Sequence, residues 1–381
     1  MSDFRSLLAS FQAATGTENV TSSTSRNNDR IPSLKESISN LWRKTQIQQS
    51  FNVSKKSTTH KDTPIHVGIC AVIVSTLSHE EIWKSYLDQQ NEEKSSDRQY
   101  SASMYVHAKT PSAIPNNSWL KSKLIPISHN PSWNDIKVVQ AMLSLIEHAL
   151  KDKRTTHIMF VTESCIPITS LHELCNRLQH GKSYVNAYNR DSNRCTRFDE
   201  HACFQIENVP NDVIYKNIPG WCMLSANHAK QVLDIPKQLQ NRDLFPLFKN
   251  VWAPEEVYFP TAMALVGVLQ STDVVKCNLM WAKWDERSRG SQRAHPILYD
   301  GQFSKRLVDD ARQEGCYFMR KFKRSIYVNL WNQITCTDTK EDNEKKQKNE
   351  TSDENRKRSR NEEDVKNGNN GGKESKISKI K

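Results

Sequence analysis

Residues 66–74 read His-Val-Gly-Ile-Cys-Ala-Val-Ile-Val, an apolar run of strand length. A half-exposed strand alternates apolar and polar side chains, and this one does not. Such a run is what a parallel strand looks like when helices cover both faces of its sheet. The chain that follows keeps the rhythm this requires. Ser78-His79-Glu80-Glu81 has the pattern of a capping box, opening a helix with Ile82, Trp83, Tyr86 and Leu87 on one side. Residues 100–107 read as a second strand, 124–127 as a short third, and 133–150 as a helix with a broad apolar face. Residues 157–161 form a fourth strand, ending at Thr162-Glu163-Ser164-Cys165. This alternation predicts an α/β fold: a mainly parallel, Rossmann-like sheet with flanking helices.

The ends do not share this pattern. Residues 1–63 are rich in Ser, Thr, Asn and Lys with only short apolar clusters, and residues 336–381 are almost wholly polar or charged. Neither offers enough apolar surface to offset chain entropy, so both are expected to be disordered, leaving residues 64–335 as one domain. The net charge is +11, yet residues 337–381 hold thirteen Lys and Arg against eleven Asp and Glu, a net of +2. The excess of +9 therefore lies outside the tail and fits an anionic ligand such as a diphosphate, not a nucleic-acid tail. Nine cysteines are scattered without a C-x-x-C spacing, so no zinc ribbon or thioredoxin-type site is expected. No apolar run is long enough for a membrane span, and no signal-peptide core is seen.

In a parallel α/β sheet the ligand crevice lies beyond the carboxyl ends of the strands. That rule directs His107, Lys109 and Glu163 into the site. No G-x-G-x-x-G follows the first strand and no P-loop pattern occurs, which disfavours a dinucleotide enzyme and a P-loop NTPase. In the second half, residues 220–224 read as a buried strand with Ser225 capping the next helix, and residues 274–284 as a strand ending in tryptophans. A loop with Arg287, Arg289, Arg293 and His295 follows, and then residues 316–324 as a short strand delivering several cations.

Ala253-Pro254-Glu255-Glu256-Val257-Tyr258-Phe259-Pro260 places two carboxylates in the first turn of an otherwise apolar helix. Unpaired N–H groups and the positive dipole end favour an anion there. The residues alone fit a simple dipole complement as well as an oriented general base.

Taken in order, these segments resemble the core-2/I-branching β-1,6-N-acetylglucosaminyltransferase family, including its plant branch. The resemblance covers about residues 65–325. Residues 160–168 (Phe-Val-Thr-Glu-Ser-Cys-Ile-Pro-Ile) are similar to the plant branch's Ser-Glu-Ser-Cys-Ile-Pro-Leu signature, and Tyr105-Val106-His107-Ala108 to its Tyr-Val-His-Ala strand end. Trp133 and the helix after it resemble the segment just upstream of that signature. Residues 253–260 are similar to the family's Pro-Asp-Glu-His-Tyr-Phe-Pro, residues 284–296 to its Asp-Trp-Ser-Arg-Gly-Gly-Pro-His-Pro, and residues 318–322 to its Phe-Ala-Arg-Lys-Phe.

The resemblance implies a GT-A-type fold and transfer of a sugar from a UDP-sugar with inversion, N-acetylglucosamine being the first expectation. UDP-xylose and UDP-glucuronic acid donors stay open, as does a catalytically silent relative that binds glycans or nucleotide sugars. It implies Glu256 as catalytic base and Lys321 on the donor diphosphate, with Arg320, Arg289 and Arg293 as further diphosphate candidates. His107, Lys109 and Glu163 become candidates for the donor nucleotide, and Trp284 and Glu255 for the acceptor, a glycan or glycoconjugate. Glu255 and Val257 stand where the family has Asp and His, a departure on the acceptor side. Relatives are commonly Golgi membrane proteins with an N-terminal anchor, and that anchor is not seen in this sequence.

GT-A enzymes usually meet the leaving diphosphate with a divalent metal on a D-x-D motif, and no D-x-D occurs here. The expectation is therefore transfer without metal or other cofactor, with fixed cations compensating the diphosphate charge. Arg320 and Lys321 are neighbours, and strand alternation predicts that only one of them faces the phosphates; the resemblance implies that it is Lys321. The same argument separates Trp281 from Trp284.

Overall fold

The computed structural model describes residues 32–51, 64–91, 99–192, 206, 208–218, 221–284, 295–299, 302–323 and 325–335. Strand β1 (Ile65–Ile73) is buried along its whole length and lies between two parallel neighbours, β2 (Tyr100–Ala108) and β3 (His157–Thr162). The uninterrupted apolar run is thus explained by burial on both faces. Helix α2 (Glu80–Asp88) covers one region of this core with Ile82, Trp83, Tyr86 and Leu87. Helix α3 (Lys137–Ala149) comes so close to β1 that a Cβ at Gly68 would meet Ala149 Cβ at 3.3 Å.

The sheet continues through β8 (Met223–Ser225), antiparallel to β3, then β5 (Ser183–Tyr184) and β9 (Val274–Val275), in the order β2-β1-β3-β8-β5-β9. A smaller sheet joins β10 (Met280–Trp281), β11 (Phe318–Met319) and β4 (Ile166–Pro167), and β6 (Ala187–Asn189) pairs with β7 (Tyr215–Asn217). Helix α4 (Leu171–Arg177) starts at Ser170, and α5 (Ala226–Leu233) starts at Ser225, whose hydroxyl accepts from His228 N–H as the sequence predicts. Helix α6 (Pro254–Leu265) is buried from Val257 to Leu265. Helices α7 (Lys305–Gln313) and α8 (Val328–Thr335) complete the described chain.

The expected boundary at residue 64 is corrected by helix α1 (Leu34–Phe51). Ile38 and Leu41 are buried, and Thr45 Oγ1 donates to the Leu265 carbonyl at the end of α6 at 3.0 Å. Trp42 Nε1 donates to Asp212 at 3.1 Å, and Arg242 reaches Ser37 at 2.6 Å. The apolar cluster at 38–42 is too short to signal a helix alone. Tertiary partners distant in sequence supply its cover. The remaining expectations on residues 1–31 and 336–381 lie outside the described residues.

Four local expectations are also corrected. The capping box at residues 78–81 is not made, because His79 turns inward against Phe322 and offers no side-chain cap. Residues 124–127 form no strand, only an isolated bridge from Leu124 to Val106. Helix α3 starts at Lys137, not at Trp133, because Asn134 takes a left-handed backbone (φ +61°) and Asp135 caps the Lys137 N–H. Residues 274–284 split into β9 and β10, which belong to different sheets.

Candidate active site

The carboxyl ends of β1, β2 and β3 open onto one cleft of about 280 Å³. Val74 follows β1, Lys109 follows β2, and Glu163 and Ser164 follow β3, so the strand-end rule locates the site. Lys109 Nζ donates to Ser132 Oγ at 3.3 Å across this edge. His107 does not reach the cleft. It is fully buried, its Nε2 accepts the His129 N–H at 3.0 Å, and its ring stacks on that of His129. Burial, and then the neighbouring His129, push its pKa down to about 4. The assignment of His107 to a ligand is therefore corrected: His107 lies within β2 and is covered there, whereas Lys109 is the first residue beyond the strand's end.

The facing wall is the start of α6. Ala253 takes a left-handed backbone (φ +48°), and its N–H is held by Asn134 Oδ1 at 2.6 Å. Pro254 occupies the first helical position, where its missing N–H costs nothing and its fixed φ suits the helix. Glu255 and Glu256 then fall in the first turn and line the cleft, as the sequence predicts. Glu256 Oε2 pairs with Lys216 Nζ at 3.3 Å. Lys216, delivered by β7, is almost wholly buried, with a side chain only 3% exposed. Strand β7 is bolted to α6 by Thr261, whose hydroxyl accepts the Tyr215 N–H at 3.1 Å.

Sequence reasoning missed Lys216. A lysine in Tyr-Lys-Asn carries no local signal of burial, and its partner lies forty residues on in the chain. Glu255 differs from its neighbour. Its Oε2 is shielded from solvent and has no hydrogen-bond partner among the described residues. Burial first, and the Glu256 charge second, push its pKa up to about 7, against the opposing pull of Arg320 and Lys216.

The third wall is the segment after β11. The Arg320 N–H donates to the Trp281 carbonyl, and the Phe322 N–H to the Ser164 carbonyl, which anchors the segment between β10 and the end of β3. Both Arg320 and Lys321 line the cleft. The expectation that only one of them faces it is corrected, because β11 ends at Met319 and strand alternation stops there. The Lys321 pKa is lowered by burial and then by Arg320, with Glu163 acting against. The Glu163 pKa is raised by burial, with both cations opposing. Arg320 packs its guanidinium over Trp221 at 5.7 Å, and its Nε is buried without a hydrogen-bond partner among the described residues. Trp284 lines the cleft, whereas Trp281 is buried and stacked on Tyr299. Arg289 and Arg293 lie outside the described residues. Among the described residues no group of three or more His, Cys, Asp or Glu is placed to hold a metal ion.

The cleft thus joins a helix-start carboxylate, a buried lysine and a pair of cations. The sequence profile of the core-2/I-branching enzymes matches residues 74–308. The chain belongs to that family. Its six-stranded, mostly parallel sheet with flanking helices is the GT-A-type arrangement. A curated relative, glycosyltransferase BC10 of Oryza sativa subsp. japonica, is 20% identical over 234 residues, covering 53% of this chain and 56% of that protein. The chain spans about half the length of this relative. No described helix is long and apolar enough to cross a membrane.

Proposed function

We propose that this branching-enzyme family member is a glycosyltransferase that moves a sugar, N-acetylglucosamine first, from a UDP-sugar to a glycan hydroxyl with inversion. The observation that carries the reading is Glu256, an ion-paired helix-start carboxylate that shares a cleft with Arg320 and Lys321. The acceptor oxygen attacks the anomeric carbon while its proton passes to Glu256. The bond from that carbon to the diphosphate oxygen breaks, and UDP leaves with the bonding electrons. A positioned base contributes about 10²–10⁴-fold to such a step. Lys321 and Arg320 stabilise the charge that gathers on the leaving diphosphate, so the reaction needs no metal ion. Lys216 fixes the direction of Glu256 through their ion pair. Trp284 and Glu255 line the acceptor side, and Lys109 and Glu163 the nucleotide side. The family match and the name of the rice relative support glycosyl transfer as the class of reaction.

A donor screen tests this reading. UDP release is measured with UDP-N-acetylglucosamine, UDP-xylose and UDP-glucuronic acid, with and without oligosaccharide acceptors. Acceptor-dependent release with UDP-N-acetylglucosamine, and a product of inverted anomeric configuration by NMR, are expected. No release with any donor would leave a nucleotide-sugar-binding protein in its place.

A further inference from the structure

At the mouth of the cleft stands Trp133, 62% exposed and lining the cleft. It is not alone. Its ring meets Trp252 edge to face, with centroids 4.8 Å apart, and lies 5.1 Å from the His295 ring. All three line the same cleft as Glu256. Burial, then Lys321 and Arg320, push the His295 pKa down, so its ring is a neutral flank to the pair at physiological pH.

We propose that Trp133 and Trp252 are the stacking platform for the acceptor, a pyranose presented through its C–H face, and that they select which glycans reach Glu256. The proposal rests on the reading of Glu256 as the base. An aromatic face binds a sugar ring through its apolar C–H surface while the hydroxyls stay free for hydrogen bonds. The edge-to-face packing on Trp252 steadies Trp133. Three features place the pair on the acceptor side of the reaction. Trp252 sits in the turn that leads directly into Glu255 and Glu256. Asn134, next to Trp133, accepts the Ala253 N–H at 2.6 Å, which ties the platform to the start of the carboxylate helix. The left-handed backbone of Asn134 and Ala253 forms that joint from both sides. A ring seated on Trp133 is therefore tied to the start of the helix that carries Glu256.

The test compares the wild-type chain with Trp133→Ala and Trp133→Phe, using p-nitrophenyl glycosides of galactose, N-acetylglucosamine and mannose as acceptors. Trp133→Ala is expected to raise the acceptor KM about tenfold, the loss of one stacking contact, with UDP affinity by calorimetry and Tm unchanged. Trp133→Phe is expected to recover most of that loss. Glycan binding in the presence of UDP, followed by tryptophan fluorescence, is measured in parallel. If no transfer occurs but Trp133-dependent glycan binding does, the base assignment fails and the platform stands. An unchanged acceptor KM in Trp133→Ala would overturn the proposal, as would no binding of any glycan to the wild type. A fall in UDP affinity would overturn it too, because it would assign the ring to uracil.

Discussion

The wall that carries Glu256 and the wall that carries Lys321 face one cleft but treat charge in opposite ways. On the first, Glu256 is matched by Lys216 at 3.3 Å. The second crowds Arg320 and Lys321 together beside the carboxylate of Glu163, and the Arg320 Nε is buried without a hydrogen-bond partner among the described residues. A buried donor with no acceptor costs free energy until an anion supplies one. The difference suggests how a transferase divides its labour: the neutralised wall suits an uncharged hydroxyl, and the cationic wall suits a diphosphate.

The largest effect should come from breaking the neutralised wall at its reacting atom. Glu256→Gln keeps the size and removes the proton acceptor, so turnover should fall at least about 10²-fold while UDP affinity by calorimetry changes little. Retention of more than about a tenth of the turnover would move the base elsewhere. On the cationic wall the pattern should differ, because the diphosphate is met both before and during bond breaking. Lys321→Ala should weaken UDP binding and slow transfer together, each by about tenfold or more. Transfer by the wild type should persist in excess EDTA. Activity that vanishes with EDTA and returns with manganese would replace the fixed cations with a metal site near Glu163.

A smaller effect should follow from Lys216→Met, which leaves the base in place and removes its partner. The carboxylate is then free to turn, and kcat should fall by about tenfold with UDP affinity unchanged. Equal losses in kcat and UDP affinity would mean that Lys216 also touches the donor, and the contrast between the walls would weaken.

How much of this could be read from the chain depends on how local the cause is. Strands β1, β2 and β3 and the start of α6 announce themselves, because burial on both faces or the helix dipole leaves its mark within a few residues. Lys109, Glu163, Glu255 and Glu256 inherit their positions from those elements and were legible for that reason. Lys216, helix α1 and the exposure of Trp133 were not. Each depends on a contact across many residues: Lys216 with Glu256, Thr45 with Leu265, Asn134 with Ala253. His107 failed for the opposite reason. The rule that strand ends meet the ligand holds for Lys109, just beyond β2, and not for His107, which still lies within the buried strand.

The smallest effect sharpens the comparison within the neutralised wall, between two adjacent carboxylates. Glu255 has a pKa of about 7, raised by burial and by Glu256, whereas an unfolded chain would hold it near 4.5. Between those two values the folded state binds more protons than the unfolded state, so stability should fall as pH rises. The favourable contribution is complete below about pH 4.5 and is lost as pH passes through about 7. Glu255→Gln cannot ionise and should remove this slope. At pH 5 its Tm should match the wild type, and at pH 8 it should be higher. Its turnover should fall far less than that of Glu256→Gln, because on the proposed mechanism it lines the acceptor side without taking the proton. Equal Tm differences at both pH values would mean that Glu255 is not held protonated by its surroundings. The unpartnered Oε2 would then have to find a donor outside the described residues.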